Sequence, residues 1–167
     1  MSVSLSRVRF LIVDDNTHAV NLVKAMLRGF GANQLYDAQT IDTAQRRMKI
    51  TPCDIVILDY MLGEEEGVTF ARWLRNDPDS PAPYAPIILL TGHADRQKIM
   101  AARDAGVNEF CVKPVTPADL MKRIAWVVDR PRPFMRSQTY FGPDRRRHDD
   151  PNYRGSERRA ERQSKPS

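Results

Sequence analysis

Short, continuously apolar runs alternate with longer amphipathic stretches through the first 130 residues, and this alternation constrains the fold more than any other feature. The runs, such as residues 10–13 and 55–58, have the length and composition of strands buried on both faces of a sheet. The stretches between them have the 3.6-residue apolar period of helices that cover a sheet. Five such pairs predict an α/β fold, a doubly wound five-stranded parallel sheet with helices on both faces.

The predicted elements fill residues 7–129, which we interpret as one domain. The strands are expected at residues 9–14, 34–37, 54–59, 86–91 and 109–112. The helices are expected at residues 18–29, 41–50, 68–75, 96–105 and 117–129. In a sheet of this kind ligands bind beyond the carboxyl ends of the strands, so functional side chains are expected there.

The apolar runs also bear on cellular context. They are strand-sized and too short for a transmembrane helix, and the run after Arg9 is broken at Asp14 before it reaches the length of a signal peptide. We therefore expect a cytoplasmic protein without membrane insertion. Cys53 and Cys111 are expected to be reduced and to behave as small buried hydrophobes, so no disulfide or zinc framework is predicted.

Polar side chains stand where four of the predicted strands end: Asp14 and Asp15, Asp59, Thr91 and Lys113. Each alone is an ordinary loop residue, but five such groups at the mouths of four strands favour a shared site. Clustered carboxylates repel one another unless a hard cation such as Mg²⁺ lies among them. The hydroxyl and the ammonium group could bind phosphoryl oxygens, and Asp59 could accept a phosphoryl group.

This set of residues, with Pro114 after the lysine, resembles the signature of bacterial response-regulator receiver domains, which have a flavodoxin-like (CheY-like) fold. The resemblance covers residues 7–129. It implies that Asp59 is the phosphoacceptor and that Asp15 and Asp59 ligate Mg²⁺ together with the backbone carbonyl of Met61. It further implies that Asp14 assists through water.

The resemblance also assigns roles to Lys113, Thr91 and Phe110. Lys113 and Thr91 would bind the phosphoryl group, and Thr91 and Phe110 would take the two switch positions. A histidine kinase or a phosphotransfer protein would be the phosphoryl donor. Such a protein is not an enzyme in the usual sense, although it can lose its own phosphoryl group. The Lys113–Pro114 bond is expected to be cis, and Gly63 stands where the family usually has proline, which predicts a looser loop.

The remaining residues, 130–167, form a basic tail. Acidic and basic side chains balance in the first 130 residues, so the whole net charge of +5 lies beyond them. Few aliphatic side chains and repeated Pro and Gly predict a largely disordered segment, because it cannot bury enough apolar surface to offset its chain entropy. Its charge predicts an anionic partner.

The tail contains an internal repeat, Tyr-x-Gly-(Pro/Ser)-(acid)-Arg-Arg, at residues 140–146 and again at 153–159. Arginine can stack on a base or donate to guanine and phosphate, and tyrosine adds a stacking surface. An acid can accept from the Watson–Crick edge of guanine, and glycine permits a close turn. The predicted nucleotide-binding residues of the tail are Arg136, Tyr140, Gly142, Asp144, Arg145, Arg146, Asp150, Tyr153, Gly155, Arg158 and Arg159.

This tail is similar to the arginine-rich tails of CheY-like cyclic diguanylate effectors, which bind c-di-GMP and act on the flagellar motor or on surface attachment. The resemblance implies c-di-GMP as the ligand and a flagellar switch or another protein as the target. Two alternatives stay open: a single-domain phosphoryl shuttle or sink with an inert tail, and a receiver whose tail binds nucleic acid nonspecifically. The acids within the repeat weaken the nucleic-acid alternative.

Overall fold

The structure is a computed structural model that describes residues 4–92 and 96–145. Five parallel strands form its central sheet: β1 (Arg9–Val13), β2 (Gln34–Ala38), β3 (Ile55–Asp59), β6 (Ile87–Thr91) and β7 (Glu109–Val112). Two short pairs add β4 (Met61–Leu62) with β5 (Glu65–Glu66), and β8 (Phe134–Arg136) with β9 (Phe141–Pro143). The helices are α1 (Thr17–Gly29), α2 (Ile41–Ile50), α3 (Val68–Asn76), α4 (Arg96–Asp104) and α5 (Pro117–Asp129).

The strand order of the central sheet is β2-β1-β3-β6-β7, and all its pairs are parallel. The chain therefore has the doubly wound, CheY-like fold that the sequence predicts. The chain passes from β1 to β2 on one side and then returns to β3 on the other side of β1. The carboxyl ends of β1 and β3 therefore lie side by side at this switch point. That edge is where the predicted site should lie.

Alternate residues of each central strand enter different cores, because successive side chains of a strand point to opposite faces. On one face Leu11, Val56 and Leu89 pack in the core that holds the buried side chains of α2 and α3. On the other face Phe10 and Ile57 pack in the core of α1 and α5. Burial on both faces explains why these strands are continuously apolar in sequence.

The chain beyond α5 differs from the expectation of a largely disordered tail that begins at residue 130. Strands β8 and β9 form an antiparallel hairpin, and Phe141 is buried. The residues from 146 onward lie outside the described part of the chain. The sequence reading missed the hairpin because its few apolar residues cannot form a core alone and are buried only against the preceding domain.

The helices of the described ranges are too short or too polar to cross a lipid bilayer, so no candidate membrane span is found among them.

Candidate functional site

Three carboxylates meet at the carboxyl ends of β1 and β3. Val13 pairs with Leu58, so Asp14, which follows β1, lies beside Asp59, the last residue of β3. Asp14 and Asp59 are buried and Asp15 is exposed, and one carboxylate oxygen of each lies within 4.8 Å of the others. The sheet register therefore creates the cluster that the sequence predicts.

Lys113, which follows the outer strand β7, brings a positive charge to this cluster. Its Nζ lies 2.9 Å from Asp59 Oδ1 and 3.6 Å from Asp14 Oδ2. The backbone places it there: Thr91 pairs with Val112, and the Lys113 amide donates to the Thr91 carbonyl at 2.8 Å. Thr91 is buried at the end of β6, so the structure brings all five predicted strand-end residues to one edge of the sheet.

Backbone amides of two loops hold the carboxylates in place. The Asn16 amide donates to Asp14 Oδ1 at 2.9 Å, and the Gly63 amide donates to Asp15 Oδ2 at 3.0 Å. Gly63 has a φ of 64°, the left-handed conformation that glycine adopts without strain, and begins the two-residue turn between β4 and β5. The glycine expected to loosen this loop therefore also holds a carboxylate of the site.

Gly67 is a positioning residue that sequence reasoning missed. A Cβ at this position would lie 2.1 Å from the Asp59 carbonyl oxygen, so only glycine lets α3 begin against the end of β3. The Gly67 amide also donates to the Tyr60 carbonyl at 2.6 Å and closes the loop. A glycine that ends a run of glutamates was the available signal, because glycine often marks a close approach of two backbones.

Burial and the charges of the site perturb the pKa values of Asp14 and Lys113. Burial raises the pKa of Asp14 above its ordinary value, and the charge of Asp59 adds to the rise, while the Asn16 amide and Lys113 oppose it. Burial lowers the pKa of Lys113, but its hydrogen bond to Asp59 and the nearby carboxylates outweigh burial, so this pKa is raised. The site therefore concentrates negative charge that a cation can stabilise.

The donor set fits a hard divalent cation. Asp14, Asp15 and Asp59 offer carboxylate oxygens at one point, and Mg²⁺ takes oxygen ligands, commonly one or two carboxylates with waters. Met61, whose carbonyl is the expected third ligand group, lies two residues after Asp59 in β4. Its role as a ligand stays a prediction.

The strand that carries Phe110, the predicted switch residue, is tied to the C-terminal segment. Phe110 is half-buried in β7 and packs against the core that contains the buried side chains of α2 and α3. Beside it, the buried carboxylate of Glu109 accepts hydrogen bonds from Arg123 of α5 and Arg132 of the tail, each at 3.1 Å. Sequence reasoning assigned none of these three charged residues a role.

The Lys113–Pro114 peptide is cis, as expected.

Five of the predicted tail residues lie in the described part of the chain, and the hairpin carries them against the domain. The Arg136 guanidinium carbon lies 4.0 Å from the centroid of the Phe141 ring. Tyr140 precedes β9 and is half-buried, Gly142 is buried within β9, and Asp144 and Arg145 follow the strand. The others, Arg146, Asp150, Tyr153, Gly155, Arg158 and Arg159, lie outside the described residues.

The hairpin and the carboxylate cluster lie at opposite ends of the sheet. Gly106, which the hairpin contacts, precedes β7, and Tyr84, which stacks against the hairpin, precedes β6. The carboxylates instead follow β1 and end β3. The tail residues therefore do not line the candidate site directly.

Comparisons with known proteins relate this chain to receiver domains. Residues 10–125 match the model of the response regulator receiver domain family. The chain is 31% identical over 123 residues to the chemotaxis protein CheY-3 of Vibrio cholerae, covering 74% of this chain and 93% of the relative. The corresponding identity to the chemotaxis protein CheY of Pseudomonas aeruginosa is 28%, covering 74% and 98%.

A solved structure adds a point about the site. The receiver domain of a sensor histidine kinase from Pseudomonas aeruginosa, described with a magnesium ion coordinated in its active site cleft, superposes with a TM-score of 0.62 at 25% identity. The match covers 71% of this chain and 94% of that one. The match of this chain to the model of the receiver domain family ends at residue 125, so the hairpin lies beyond it.

Proposed function

This chain belongs to the response regulator receiver family, and we propose that it signals by accepting a phosphoryl group on Asp59. The observation that carries the proposal is the convergence of Asp14, Asp15 and Asp59 with Lys113, whose Nζ lies 2.9 Å from Asp59 Oδ1. Receiver domains take phosphoryl groups from histidine kinases or phosphotransfer proteins, and we propose a donor of this kind here.

In the proposed transfer a carboxylate oxygen of Asp59 bonds to the phosphorus of a phosphohistidine. The phosphorus–nitrogen bond breaks, and the imidazole nitrogen keeps the electron pair. Lys113 stabilises the negative charge of the phosphoryl oxygens, and the hydroxyl of Thr91 donates to one of them. A bound Mg²⁺, held by Asp15 and Asp59 with Asp14 assisting, would neutralise charge and orient the incoming group. Hydrolysis of the acyl phosphate later restores the carboxylate, so the protein is a signal carrier.

We further propose that the arginine-rich tail binds c-di-GMP and that the two signals change contacts with a protein target, such as a flagellar switch or a surface-attachment factor. The support is the repeat at residues 140–146 and 153–159 and the excess positive charge of the tail. In the first copy, the Arg145 guanidinium carbon lies 4.4 Å from the centroid of the Tyr140 ring. Guanine bases stack on arginine and tyrosine side chains of this kind.

The test is calorimetric titration of c-di-GMP into the full chain at two salt concentrations, with GTP as the control nucleotide. The matched variant replaces Arg145, Arg146, Arg158 and Arg159 by alanine in the full chain. We expect micromolar or tighter binding that the variant loses, while acetyl phosphate with Mg²⁺ still phosphorylates Asp59. Equal, salt-sensitive binding of both nucleotides would instead indicate nonspecific electrostatic attraction. Replacing Asp59 by asparagine should abolish phosphorylation without affecting nucleotide binding.

A second candidate function is a phosphoryl shuttle whose tail binds no nucleotide. The observation that favours it is the docked hairpin, since Phe141 is buried and gives the first copy of the repeat a structural role. This candidate predicts that the four-arginine variant behaves as the wild type does in every signalling assay.

A further inference from the structure

We propose that the receiver competes with the nucleotide for the first copy of the tail repeat, because the docked hairpin already engages Tyr140 and Arg145. The inference rests on the proposed function of the tail. It makes the surface at the end of α4 an intramolecular competitor for the ligand.

Arg145 contacts both the receiver and the Tyr140 ring. Its Nη1 lies 2.6 Å from Asp104 Oδ1 at the end of α4, while its guanidinium group covers the Tyr140 ring. The Tyr140 hydroxyl donates to the Pro143 carbonyl at 2.7 Å. A base that replaces the Arg145 guanidinium group on the Tyr140 ring, or an acceptor that replaces the Asp104 carboxylate at Arg145, must displace the corresponding contact.

Apolar contacts hold the hairpin where these polar contacts can form. Phe134 and Phe141 stack edge-on or tilted against each other and against Tyr84, with ring centroids 5.1 to 5.5 Å apart. A Cβ on Gly142 would lie 2.9 Å from the Cα of Gly106, so the two backbones pass in close contact. The docked position is therefore specific.

The buried Arg75 of α3 forms the floor of this contact. It donates to the carbonyls of Gly106, Pro83 and Ala85 and to Asn108 Oδ1, and its guanidinium carbon lies 5.0 Å from the centroid of the Phe134 ring. The hairpin thus packs on a part of the receiver that is itself fixed by hydrogen bonds.

The two copies of the repeat differ at the residues that anchor the first. Phe141 and Pro143 are buried in the first copy, whereas Arg154 and Ser156 stand at these positions in the second. The second copy lacks the apolar groups needed to dock in the same way. Competition therefore concerns the first copy, and a ligand with two equivalent halves would find its two sites unequal.

The competition has a quantitative consequence. If only an undocked fraction of the protein presents Tyr140 and Arg145, the apparent Kd equals the intrinsic Kd divided by that fraction. Weakening the docked state must then tighten nucleotide binding, and bound nucleotide must in turn release the hairpin from α4.

Two variants weaken docking from the receiver side and leave the tail residues intact. Asp104→Ala removes an exposed ion pair, so we expect affinity to rise about twofold to fivefold. Tyr84→Ala removes two aromatic contacts, and because Tyr84 is 61% exposed the receiver core does not depend on it. For this variant we expect about a tenfold rise in affinity. Asp42→Ala, which removes another exposed ion pair, to Arg46, is the matched control.

The experiment combines c-di-GMP titration with hydrogen exchange of the nucleotide-free proteins. The informative amides are those of Ser137 and Asp144, which donate within the hairpin segment to Tyr140 and Pro133 at 2.7 Å. Faster exchange of these amides together with tighter binding in both variants, and neither in the control, is the expected result.

Each other outcome overturns the inference in a distinguishable way. Weaker or unchanged affinity in the variants, with a wild-type chain that binds, would leave the proposed ligand standing and exclude competition. Unchanged exchange would show that these contacts do not hold the hairpin. Absence of binding in every protein would reject the tail's proposed function and the competition with it.

Discussion

Replacing Gly67 by alanine should damage both the stability and the phosphorylation of the receiver. The new Cβ would lie 2.1 Å from the Asp59 carbonyl oxygen and 3.2 Å from two side-chain carbons of Leu58. Ordinary contacts between such atoms are well above 3 Å, so the start of α3 and the end of β3 must separate by about 1 Å or more. Neither neighbour is the flexible end of a long side chain.

The size of the effect follows from this displacement. Overpacking of a close contact costs about 1 to 3 kcal/mol, and a backbone clash belongs at the upper end, so we expect a loss of about 3 kcal/mol in the free energy of unfolding. A domain of this size retains a folded state after such a loss. Because the clash acts on Asp59 itself, misplacement of its carboxylate by about 1 Å should slow phosphorylation by about 100-fold.

Urea unfolding followed by circular dichroism measures the first quantity, and the rate of phosphorylation by acetyl phosphate with Mg²⁺ measures the second. Gly29→Ala is the matched control, because a Cβ there meets nothing within 4 Å at the end of α1. We expect this control to leave the rate unchanged and to stabilise the helix slightly. A Gly67→Ala variant as stable and as rapidly phosphorylated as the wild type would refute the close-approach argument.

Three further predictions concern other parts of the molecule. Arg132→Ala removes one of the two partners of the buried Glu109 carboxylate and should lower the free energy of unfolding by about 2 kcal/mol in urea titrations. Burial raises the pKa of Tyr140. This tyrosine should therefore stabilise the docked hairpin fully below the ordinary tyrosine pKa, and the stabilisation should be lost as the pH rises through the raised value. Hydrogen exchange at matched temperatures would show the loss. Burial raises the pKa of Cys53 and Cys111 to about 11, so a thiol reagent at pH 8 should label them only on unfolding; fast labelling of the folded protein would contradict their burial.

The central fold was predictable because its signal is local. A strand buried on both faces must be apolar at every position, so β1, β3 and β6 are visible as continuous apolar runs. The predicted bounds of each differ from the observed ones by one residue at one end. The strand-end carboxylates were equally visible. An aspartate that ends an apolar run lies at the carboxyl end of its strand, whatever position that strand takes in the sheet. Parallel topology then brings Asp14 and Asp59 together.

The two short hairpins were not predictable in the same way. Strands β4 and β5 have two residues each and carry glutamates, so neither length nor periodicity marks them. Strands β8 and β9 lie in a basic, proline-rich segment whose composition is typical of disorder. Phe141 is buried only because Gly106 and Tyr84 provide a surface for it, and no local pattern records that surface.

The sequence by itself determined the α/β alternation, the positions of the strand ends and the identity of the groups that meet there. These follow from side-chain burial and backbone direction, which act within a few residues. Only the tertiary structure decided that Arg75 and Glu109 are buried, that Gly67 must be glycine and that Arg145 pairs with Asp104. Such contacts join residues up to 41 positions apart in the chain. Their free energy depends on a shared surface that exists only once the sheet has folded.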